Sequence, residues 1–563
     1  MTQKSQGAPG HDRRSFWAWG NESTEPTAEG LRSAAREMSK RFGVNLSPGR
    51  PPDLSAISLR RPRISPGGAI AGFCSTSAYD RALHSYGHSF RDRVRKFRGE
   101  FSNPPDFVAY PNDEAEVAAV FDWCYANDCV VIPFGGGSSV VGGVEPPAEA
   151  GRVATLDLTR LQRILEIDST SRAARIQAGA LGPAIEADLR PHGLTLRHFP
   201  QSFEFSTLGG WIVTRSAGHY ATNHTHIDDF VESLRMVTPG GVWESRRLPG
   251  SGAGPAPDRL VLGSEGILGA VTEAWVRVQA RPRFREAAGV VYSSLDAAAS
   301  AARSIVQAKL WPANCRVLDE GEAGTNAGMD GRQALLVLGF ESAELPQSGR
   351  MHEALEIAVD SHGKVVERSG DESGGRPGAV AAGTLPATQE PGPVERWRQS
   401  FIRMPYDWNL LLGFGLINDT FETAVTWERW PEFDRNVRSA VAKALKDVCG
   451  GGTVTCRFTH VYPDGPAPYY TFTGLGRAGS ELEMWAEVKS AASEAVIAGG
   501  GTITHHHAVG RDHRPGYDAE RPELFAQALR AAKRAVDPRW LVNPGVLVDA
   551  DPDSGAIAGF QNR

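Results

Sequence analysis

The sequence predicts an α+β protein that folds as more than one domain. Its 563 residues, 41% of them apolar, can bury a large core, but they exceed the roughly 250–300 residues at which one core stops growing. From about residue 103 onward, helical and strand patterns follow one another. Glycine, with 62 residues, exceeds its usual share of roughly 7% and clusters in the intervening loops. We therefore expect backbone that approaches a ligand closely in those loops.

Composition excludes several classes of protein. The 60 basic and 66 acidic residues give a net charge of −6, whereas nucleic-acid binding needs a concentrated basic surface, so no nucleic-acid partner is expected. The six cysteines form no C-x-x-C pair, which argues against a disulfide scaffold and a structural zinc site. No window approaches the roughly 18 uninterrupted apolar residues of a membrane span, and no signal peptide is visible. The sequence predicts a cytoplasmic protein in which any membrane contact is peripheral.

Changes in composition divide the chain into four regions. A Gly/Pro-dense stretch without apolar periodicity, at 368–394, is expected to be a mobile loop. The last region holds a helical run, ELFAQALRAAKRAVD, at 523–537. The predicted regions are an N-terminal helical and extended segment at 1–102, a ligand-binding domain at 103–283, a second domain at 284–504 and a C-terminal segment at 505–563.

Within residues 103–283 the predicted elements alternate. Asn112 is a candidate cap for a helix with one apolar face and acidic residues in its first turn. A buried strand, CVVIPF, follows at 129–134. Pro183 suits the first turn of a further helix, because its fixed φ is helical. The other predicted strands are VATLDLT at 153–159, RAARIQAGA at 172–180, LRMVTPGG at 234–241 and AVTEAWVRVQA at 270–280.

The strongest local signal is the stretch PFGGGSSVVGG at 133–143, directly after the buried strand. Three consecutive glycines let the chain wrap closely around an anion and present several N–H donors, and the two serines add hydroxyls. A diphosphate is the ligand that suits such a loop best. The spacing matches neither a G-x-G-x-x-G dinucleotide site nor a loop ending in G-K-[ST], so no NAD site is predicted.

Two later stretches are also rich in small residues. HFPQSFEFSTLGGW at 198–211, which continues to TRSAG at 214–218, combines glycines with hydroxyls. Such a stretch suits packing against a flat ring system and leaves donors for its heteroatoms. LGSEGILG at 262–269 is a glycine-rich turn that opens a strand. Each stretch on its own is compatible with an ordinary turn.

In this order the three stretches resemble the FAD-binding domain of flavoproteins of the vanillyl-alcohol oxidase type, and more specifically the alkyldihydroxyacetonephosphate synthase family. The resemblance implies a two-part FAD-binding domain of that type, an α+β cap domain for the substrate at 284–504 and an N-terminal helical extension. It continues through NDTFETAVTW at 418–427, CRFTHVYPDG at 456–465, GGTITHHHAVG at 500–510 and LVNPG at 541–545.

The resemblance implies that the cofactor is noncovalent FAD, and the glycine loop contains no histidine that could form a covalent link. The diphosphate of FAD is expected along this loop, with the two later stretches around the ring. The residues that the resemblance assigns to FAD are Pro133, Gly135, Gly136, Gly137, Ser138, Ser139, Val140, Pro200, Ser202, Thr207, Gly209, Gly210, Arg215, Ser264, Glu265 and Gly266.

The resemblance also implies catalytic residues. Tyr469 aligns with the tyrosine that removes a proton from C1 of the substrate, which requires a lowered pKa or a charged neighbour, because an unperturbed tyrosine has a pKa near 10. The run His505, His506 and His507 faces the flavin and substrate in the family. His506 and His507 are the candidates for binding oxygens or transferring protons. In extended backbone His505 and His507 share one face and His506 the other, so no metal site is predicted.

Three residues are candidates for substrate binding. Arg316 matches a family arginine near the active site, and a guanidinium suits a phosphate or a carboxylate. Trp408 stands where the family commonly has an arginine that anchors an anionic substrate. Arg403 is the candidate replacement for that arginine, provided that the backbone shifts.

The resemblance implies an alkylglycerone-phosphate synthase that makes an ether-lipid precursor. Its partners would be acyl-dihydroxyacetone phosphate and a long-chain fatty alcohol, which replaces the acyl group through an adduct at flavin N5, in a homodimer. No metal or pyridine nucleotide is required. Two alternatives stay open: an FAD-dependent oxidoreductase of a 2-hydroxy acid or another small alcohol, which Trp408 would suit, and a flavoprotein that has lost catalysis.

Overall fold

A computed structural model describes residues 12–224, 226–370 and 391–550 of the chain. Helices and sheets are both abundant, and the predicted α+β class is confirmed. Most of the predicted mobile loop, residues 371–390, lies outside the described residues. Its two ends are ordered, since residues 368–370 complete a strand and residues 393–394 begin a helix.

The N-terminal region combines an extended segment with three helices. Thr27 caps the first helix by accepting a hydrogen bond of 3.1 Å from the Gly30 N–H. The segment before this helix is firmly attached, because the Asn409 side chain exchanges two hydrogen bonds of 2.9 Å with the backbone of Trp19. The elements of this region are α1 Ala28–Phe42, β1 Cys74–Ser75, α2 Ala78–Leu83 and α3 Phe90–Arg98.

The first sheet adds three parallel strands to β1. These are β2 Phe107–Ala109, β3 Cys129–Phe134 and β4 Arg152–Asp157, in the order β1-β2-β4-β3, and the crossover from β2 to β3 contains α4 Glu114–Ala126. Asp113 caps α4, because its Oδ1 accepts a hydrogen bond of 2.9 Å from the Glu116 N–H. The prediction of Asn112 as the cap is wrong by one residue, and the Asn112 amide instead donates to the Glu116 carboxylate.

The second sheet is antiparallel and has five strands. The strands are β5 Ile164–Asp168, β6 Ala173–Gln177, β8 Val231–Thr238, β9 Gly241–Glu244 and β10 Ala270–Arg277, in the order β5-β6-β10-β8-β9. Strands β6, β8 and β10 confirm three of the predicted strands, and the fourth, at 153–159, is β4 of the first sheet. Strands β5 and β9 were not predicted, and the side chains of β5 are half-buried or exposed. The helix predicted at Pro183 is α5, with proline in its first turn. A separate pair is β7 Leu194–Thr195 with β11 Gln279–Ala280, and the helices are α5 Gly182–Leu189, α6 Leu208–Thr214, α7 Ala221–His224, α8 Ile227–Phe230 and α9 Pro257–Val261.

A seven-stranded antiparallel sheet forms the second half of the molecule, and helices cover both of its faces. Its strands are β12 Phe284–Tyr292, β13 Asn314–Leu318, β14 Ala334–Ser342, β15 Lys364–Gly370, β16 Leu416–Glu422, β17 Gly452–Val461 and β18 Pro466–Leu475, in the order β15-β12-β14-β13-β17-β18-β16. One face packs against α10 Leu295–Gln307, α12 Ser348–Asp360, α14 Trp430–Cys449 and α15 Glu481–Ala498. The other face carries α11 Glu320–Asn326 and α13 Pro393–Leu411.

The end of the chain returns to the first sheet. Helices α16 Arg514–Glu520 and α17 Glu523–Val536 precede a tail that pairs with β3. In this pairing the Val131 N–H donates to the Leu541 carbonyl at 2.8 Å, and the Asn543 N–H donates to the Val131 carbonyl at 2.9 Å. Among the helices of the described residues, none has the length and apolar content to cross a bilayer.

Candidate active site

One large cavity lies between the glycine loops and the seven-stranded sheet, and every part of the fold contributes to its wall. The N-terminal region supplies Trp19, His88 and Arg93, and helix α13 supplies Trp408. Of the predicted FAD residues, those that line the cavity are Pro133, Gly135, Gly136, Gly137, Ser138, Ser139, Val140, Pro200, Ser202, Thr207, Gly209, Gly210, Glu265 and Gly266. The structure thus brings together stretches far apart in the sequence.

The loop after β3 has the properties of an anion cradle. Among the described residues, no acceptor receives the N–H groups of residues 135–140, which leaves a row of donors at the cavity wall. Side chains are excluded here, since a Cβ on Gly136 would lie 1.6 Å from the Phe205 carbonyl oxygen. Gly137 adopts a left-handed φ of 66°. Free N–H groups on a backbone without side chains fit the diphosphate of FAD.

The second glycine stretch packs directly against the first. A Cβ on Gly135 would lie 2.3 Å from Thr207 Oγ1, and one on Gly209 would lie 2.8 Å from the Ala178 Cβ. Thr207 also caps α6, accepting a hydrogen bond of 3.2 Å from the Gly210 N–H. These contacts leave a wall of backbone and small side chains, which suits a flat ring.

Glu265 joins the flavin side of the cavity to the C-terminal segment. Its carboxylate accepts hydrogen bonds of 2.8 Å from the N–H groups of Val509 and Gly510. Burial raises the pKa of Glu265 to about 7, and these two hydrogen bonds act in the opposite direction. Asn543 donates to the Glu265 carbonyl at 2.8 Å, so this one residue holds both the three-histidine segment and the tail.

Two predicted FAD residues do not line the cavity. The Arg215 side chain is 61% exposed and pairs with Asp228 at 2.7 Å, because Arg215 ends α6 in a left-handed conformation that turns its side chain outward. Ser264 is buried beside the cavity, and its Oγ has no hydrogen-bond partner among the described residues. The assignment of Arg215 and Ser264 to FAD stays a prediction.

Tyr469 lies on the cavity face of β18. Its hydroxyl donates to Thr420 Oγ1 at 3.1 Å, and the guanidinium of Arg457 lies 4.0 Å from its ring centroid. Burial raises the pKa of Tyr469, whereas Arg457 and the bond with Thr420 oppose that rise. The adjacent Tyr470 points to the other face of the strand and donates to Asp434 at 2.8 Å. Of the two tyrosines, only Tyr469 therefore faces the cavity.

The three histidines form a tight turn and not a strand. The buried carboxylate of Glu422 accepts the backbone N–H groups of all three, at 2.8–3.1 Å. His506 and His507 line the cavity, as predicted, whereas the His505 ring turns away and contacts the Tyr462 hydroxyl at 3.0 Å. The prediction that His505 and His507 share a face is wrong, because it assumed extended backbone.

A fourth histidine completes this cluster. The ring donor atoms of His460, His505 and His506 all lie within 4.8 Å of one another, a spacing compatible with a metal ion. The prediction of no metal site applied only to the three adjacent histidines. It does not apply to this set, which His460 joins from strand β17. A hydrogen bond of 3.0 Å between the Nδ1 atoms of His505 and His506 accounts for part of the proximity.

The three predicted substrate residues have different placements. Arg316 is buried in the cavity wall, where it contacts His219 Nδ1 at 3.0 Å and lies between the rings of Trp397 and Phe401. Burial lowers the pKa of Arg316 to about 9. The Arg403 side chain is 74% exposed and pairs with Asp407 outside the cavity lining, so its role as a replacement stays a prediction.

Trp408 lines the cavity, and the guanidinium of an arginine lies over its ring. The Arg93 guanidinium lies 4.9 Å from the Trp408 ring centroid, although the two residues belong to different regions of the chain. An arginine is thus present beside position 408, but it comes from helix α3. No pattern in the sequence links these two residues.

Sequence reasoning missed several other residues of the site. Arg457 belongs to the motif at 456–465, and Glu422 belongs to the motif at 418–427. The sequence therefore indicated both positions but not their roles. Lys489, which donates to the Thr420 carbonyl and pairs with Asp419, stands in an ordinary helical pattern. The missed residues that line the cavity are Trp19, His88, Arg93, His219, Asp419, Thr420, Arg457, His460 and Lys489.

Two family models match the chain in the order of its domains. Residues 105–245 match the model described as FAD binding domain, and residues 281–547 match the model described as FAD linked oxidases, C-terminal domain. The chain therefore contains the two domains of FAD-linked oxidases. Its cofactor is FAD, in agreement with the free N–H groups and the close packing of the two glycine stretches.

Named relatives and solved structures of FAD-linked oxidases agree with this assignment. Alkyldihydroxyacetonephosphate synthase of Trypanosoma brucei brucei is 29% identical over 86% of this chain and 81% of the relative, and that of Dictyostelium discoideum is 29% identical over 83% and 77%. Glycolate oxidase subunit GlcD of Bacillus subtilis is 27% identical over 82% and 92%. A solved alkyldihydroxyacetonephosphate synthase has the same fold, with a TM-score of 0.76, 24% identity and coverage of 94% of this chain and 98% of the other.

Proposed function

We propose that this chain is an FAD-dependent alkyldihydroxyacetonephosphate synthase. It exchanges the acyl group of acyl-dihydroxyacetone phosphate for a long-chain fatty alcohol, which yields the alkyl ether and a fatty acid. A bond from C1 to the acyl oxygen is replaced by a bond from C1 to the alcohol oxygen, without net oxidation. The observation that carries the proposal is a buried phenol, Tyr469, beside Arg457 in the same cavity as the FAD loops.

Tyr469 is the base that removes a proton from C1. The ketone next to C1 makes this proton acidic, and the cavity excludes water around the phenol. Arg457 stabilises the phenolate, because its guanidinium lies over the ring and has only a distant carboxylate partner, Glu322 at 3.4 Å. The Nε and Nη2 atoms of Arg457 are buried without an acceptor among the described residues, so they are available to the substrate.

His506 and His507 receive the alcohol. Glu422 fixes their backbone, and both rings line the cavity on the side of Tyr469, at 6.2 Å and 5.4 Å between ring centroids. Burial lowers the pKa of His507 well below its usual value, so its neutral imidazole can accept the hydroxyl proton as the alcohol attacks.

FAD, when bound, supplies a ring that exchanges electrons with the reacting carbon and is restored within one turnover. The remaining tasks belong to the chain itself. Arg316 and Arg457 offer positive charge to the leaving carboxylate. The substrates follow from the named relatives and from a cavity that combines these cations with apolar and aromatic walls.

The test is an assay for ether product with acyl-dihydroxyacetone phosphate and a long-chain alcohol, on anaerobic protein with its flavin spectrum recorded. We expect ether product in mass spectra and a loss of about 10²–10⁴-fold in rate for Tyr469→Phe, since the base is removed. The matched control is Tyr470→Phe, which removes the same hydroxyl one residue away, outside the cavity. The rate of the wild type is expected to rise with pH, because the phenolate is the active form.

Two results would contradict the proposal. Equal rates for Tyr469→Phe and wild type would remove Tyr469 as the base. A flavin reduced by a 2-hydroxy acid, together with no ether product, would assign the chain to the oxidoreductases instead.

A further inference from the structure

The Arg93 side chain is a buried cation with no hydrogen-bond or ion-pair partner among the described residues. It is 4% exposed, and among the described residues its guanidinium forms no hydrogen bond and no ion pair. Its Nε is buried without an acceptor. Burial of an unpaired charge is costly, and burial accordingly lowers the pKa of Arg93. A ligand anion in the cavity would remove this cost.

The nearby carboxylates are already engaged. Asp419 accepts from Trp485 Nε1 at 2.7 Å and from Lys489 Nζ at 3.4 Å. Asp92, next to Arg93 in helix α3, pairs with Arg95 at 2.9 Å. Neither comes within 4.0 Å of Arg93, so the positive charge of Arg93 is left for the cavity.

The Arg93 guanidinium is also held in place. It lies over the Trp408 ring, and an aromatic face fixes a guanidinium while leaving its edge donors free. Helix α3 is anchored by a capping box, in which Ser89 Oγ accepts from the Asp92 N–H at 3.1 Å. A rigid guanidinium with free donors is suited to two parallel hydrogen bonds with a phosphate.

We propose that Arg93 anchors the phosphate group of the substrate. This inference rests on the proposed function and gives the phosphate one particular position in the site. Arg93 and Tyr469 are both buried, and both line this cavity. In acyl-dihydroxyacetone phosphate, C1 and the phosphate-bearing carbon flank the same ketone. An anchor in the same cavity as Tyr469 therefore orients C1 toward its base.

Arg316 is the competing candidate for this role, and its surroundings differ. Its Nε contacts Asn314 and its Nη2 contacts His219, whereas its Nη1 is buried without an acceptor among the described residues. It lies beside Phe401 on α13. Phe401 and Trp408 are seven residues apart in this helix, which corresponds to roughly 10 Å along its axis. The two arginines thus lie against rings that are about two turns apart along α13.

The first test measures Michaelis constants of the holoenzyme for each substrate. Arg93→Gln should raise KM for acyl-dihydroxyacetone phosphate about 10- to 100-fold, the loss expected for a hydrogen bond to a charged group, and leave KM for the alcohol within about twofold. Arg93→Lys, which retains the charge, should give a smaller rise and serves as the test if the glutamine variant does not fold. The matched control is Arg98→Gln, since Arg98 lies on the same helix and pairs with Glu481 outside the cavity. An unchanged KM for the phosphate ester in both Arg93 variants would overturn the inference.

The second test separates this inference from the proposed reaction. Dihydroxyacetone phosphate and dihydroxyacetone are titrated into the holoenzyme, and binding is followed by flavin absorbance and calorimetry. We expect the wild type to prefer the phosphorylated compound and Arg93→Gln to lose that preference. If the wild type makes no ether product, a preference lost in the variant still identifies Arg93 as a phosphate anchor. Equal binding of both compounds by the wild type would overturn it.

Discussion

At the scale of single residues, the Glu422 carboxylate fixes the conformation of the three-histidine turn. It accepts three successive backbone N–H groups and the Thr504 hydroxyl, the last at 2.6 Å. The histidines and the hydrogen bonds of this turn keep the pKa of Glu422 well below its usual value, against the effect of burial. The position of His506 and His507 in the cavity is therefore a consequence of one buried charge.

We expect Glu422→Gln to reduce the free energy of unfolding by about 1–3 kcal/mol at pH 7, because an amide cannot accept all of these hydrogen bonds. A folded-state pKa below the unfolded value means that the stabilisation by Glu422 is complete above the unfolded pKa, near 4.3, and is lost as pH falls through the folded pKa. The difference between variant and wild type in urea unfolding should therefore stay constant from pH 7 to about pH 5 and shrink as the pH falls below about 4.3. Glu353→Gln, at an exposed position of α12, is the control. A difference independent of pH would contradict this account.

Residue identity was easier to predict than residue orientation. The order of the motifs predicted Tyr469, His506 and His507, and each lies in the cavity. The outward turn of Arg215 and the exposure of Arg403 were missed, because both depend on how a helix ends or faces its neighbours. Such orientations are set by packing against distant elements, which local spacing does not record.

At the scale of elements, helix α17 attaches the tail to the first sheet through a buried ion pair. Lys533, 1% exposed, donates to Asp537 and to the carbonyls of Ile267 and Val542. Asp537 in turn accepts from the Val542 N–H at 2.9 Å. All three donors of the ammonium are used, so the pair is satisfied despite its burial.

Lys533→Met should lower the free energy of unfolding by about 3–5 kcal/mol, because it leaves the Asp537 carboxylate buried without a cation. The same i,i+4 pairing exists on the surface, where Lys443 is 78% exposed and pairs with Asp447. Lys443→Met should therefore cost less than about 1 kcal/mol. Urea titrations of both variants, with FAD content measured in parallel, check the contrast. Equal losses would show that burial is not the cause.

At the scale of the whole molecule, the N-terminal region is part of the active site. Trp19, His88 and Arg93 line the cavity together with residues more than three hundred positions later in the chain. Trp19 is held there by Asn409 of helix α13, in a contact between residues 390 positions apart in the chain. The site is therefore complete only when the entire chain has folded.

Asn409→Ala removes both hydrogen bonds to the backbone of Trp19 and should release the N-terminal segment from the cavity. We expect a loss of about 1–3 kcal/mol in stability, because buried backbone groups are left unpaired, together with faster release of FAD. Hydrogen exchange of residues 15–20 should increase in the variant. Asn112→Ala, at an exposed asparagine, should leave exchange in this segment unchanged. Unaltered exchange after Asn409→Ala would contradict the role of this contact.

The sequence by itself determined the elements and the places where backbone must approach a ligand. Glycine runs, helix periodicity and strand patterns are local properties, so strands β3, β4, β6, β8 and β10, helix α5 and the anion loop after β3 could be predicted directly. The tertiary structure decided which side chains share the cavity. Arg93 over Trp408 and Glu422 under the histidine turn join positions that are distant in the chain, and only packing brings them together. Local spacing constrains a residue's neighbours along its own element, whereas burial and charge pairing are set by the other elements that pack against it.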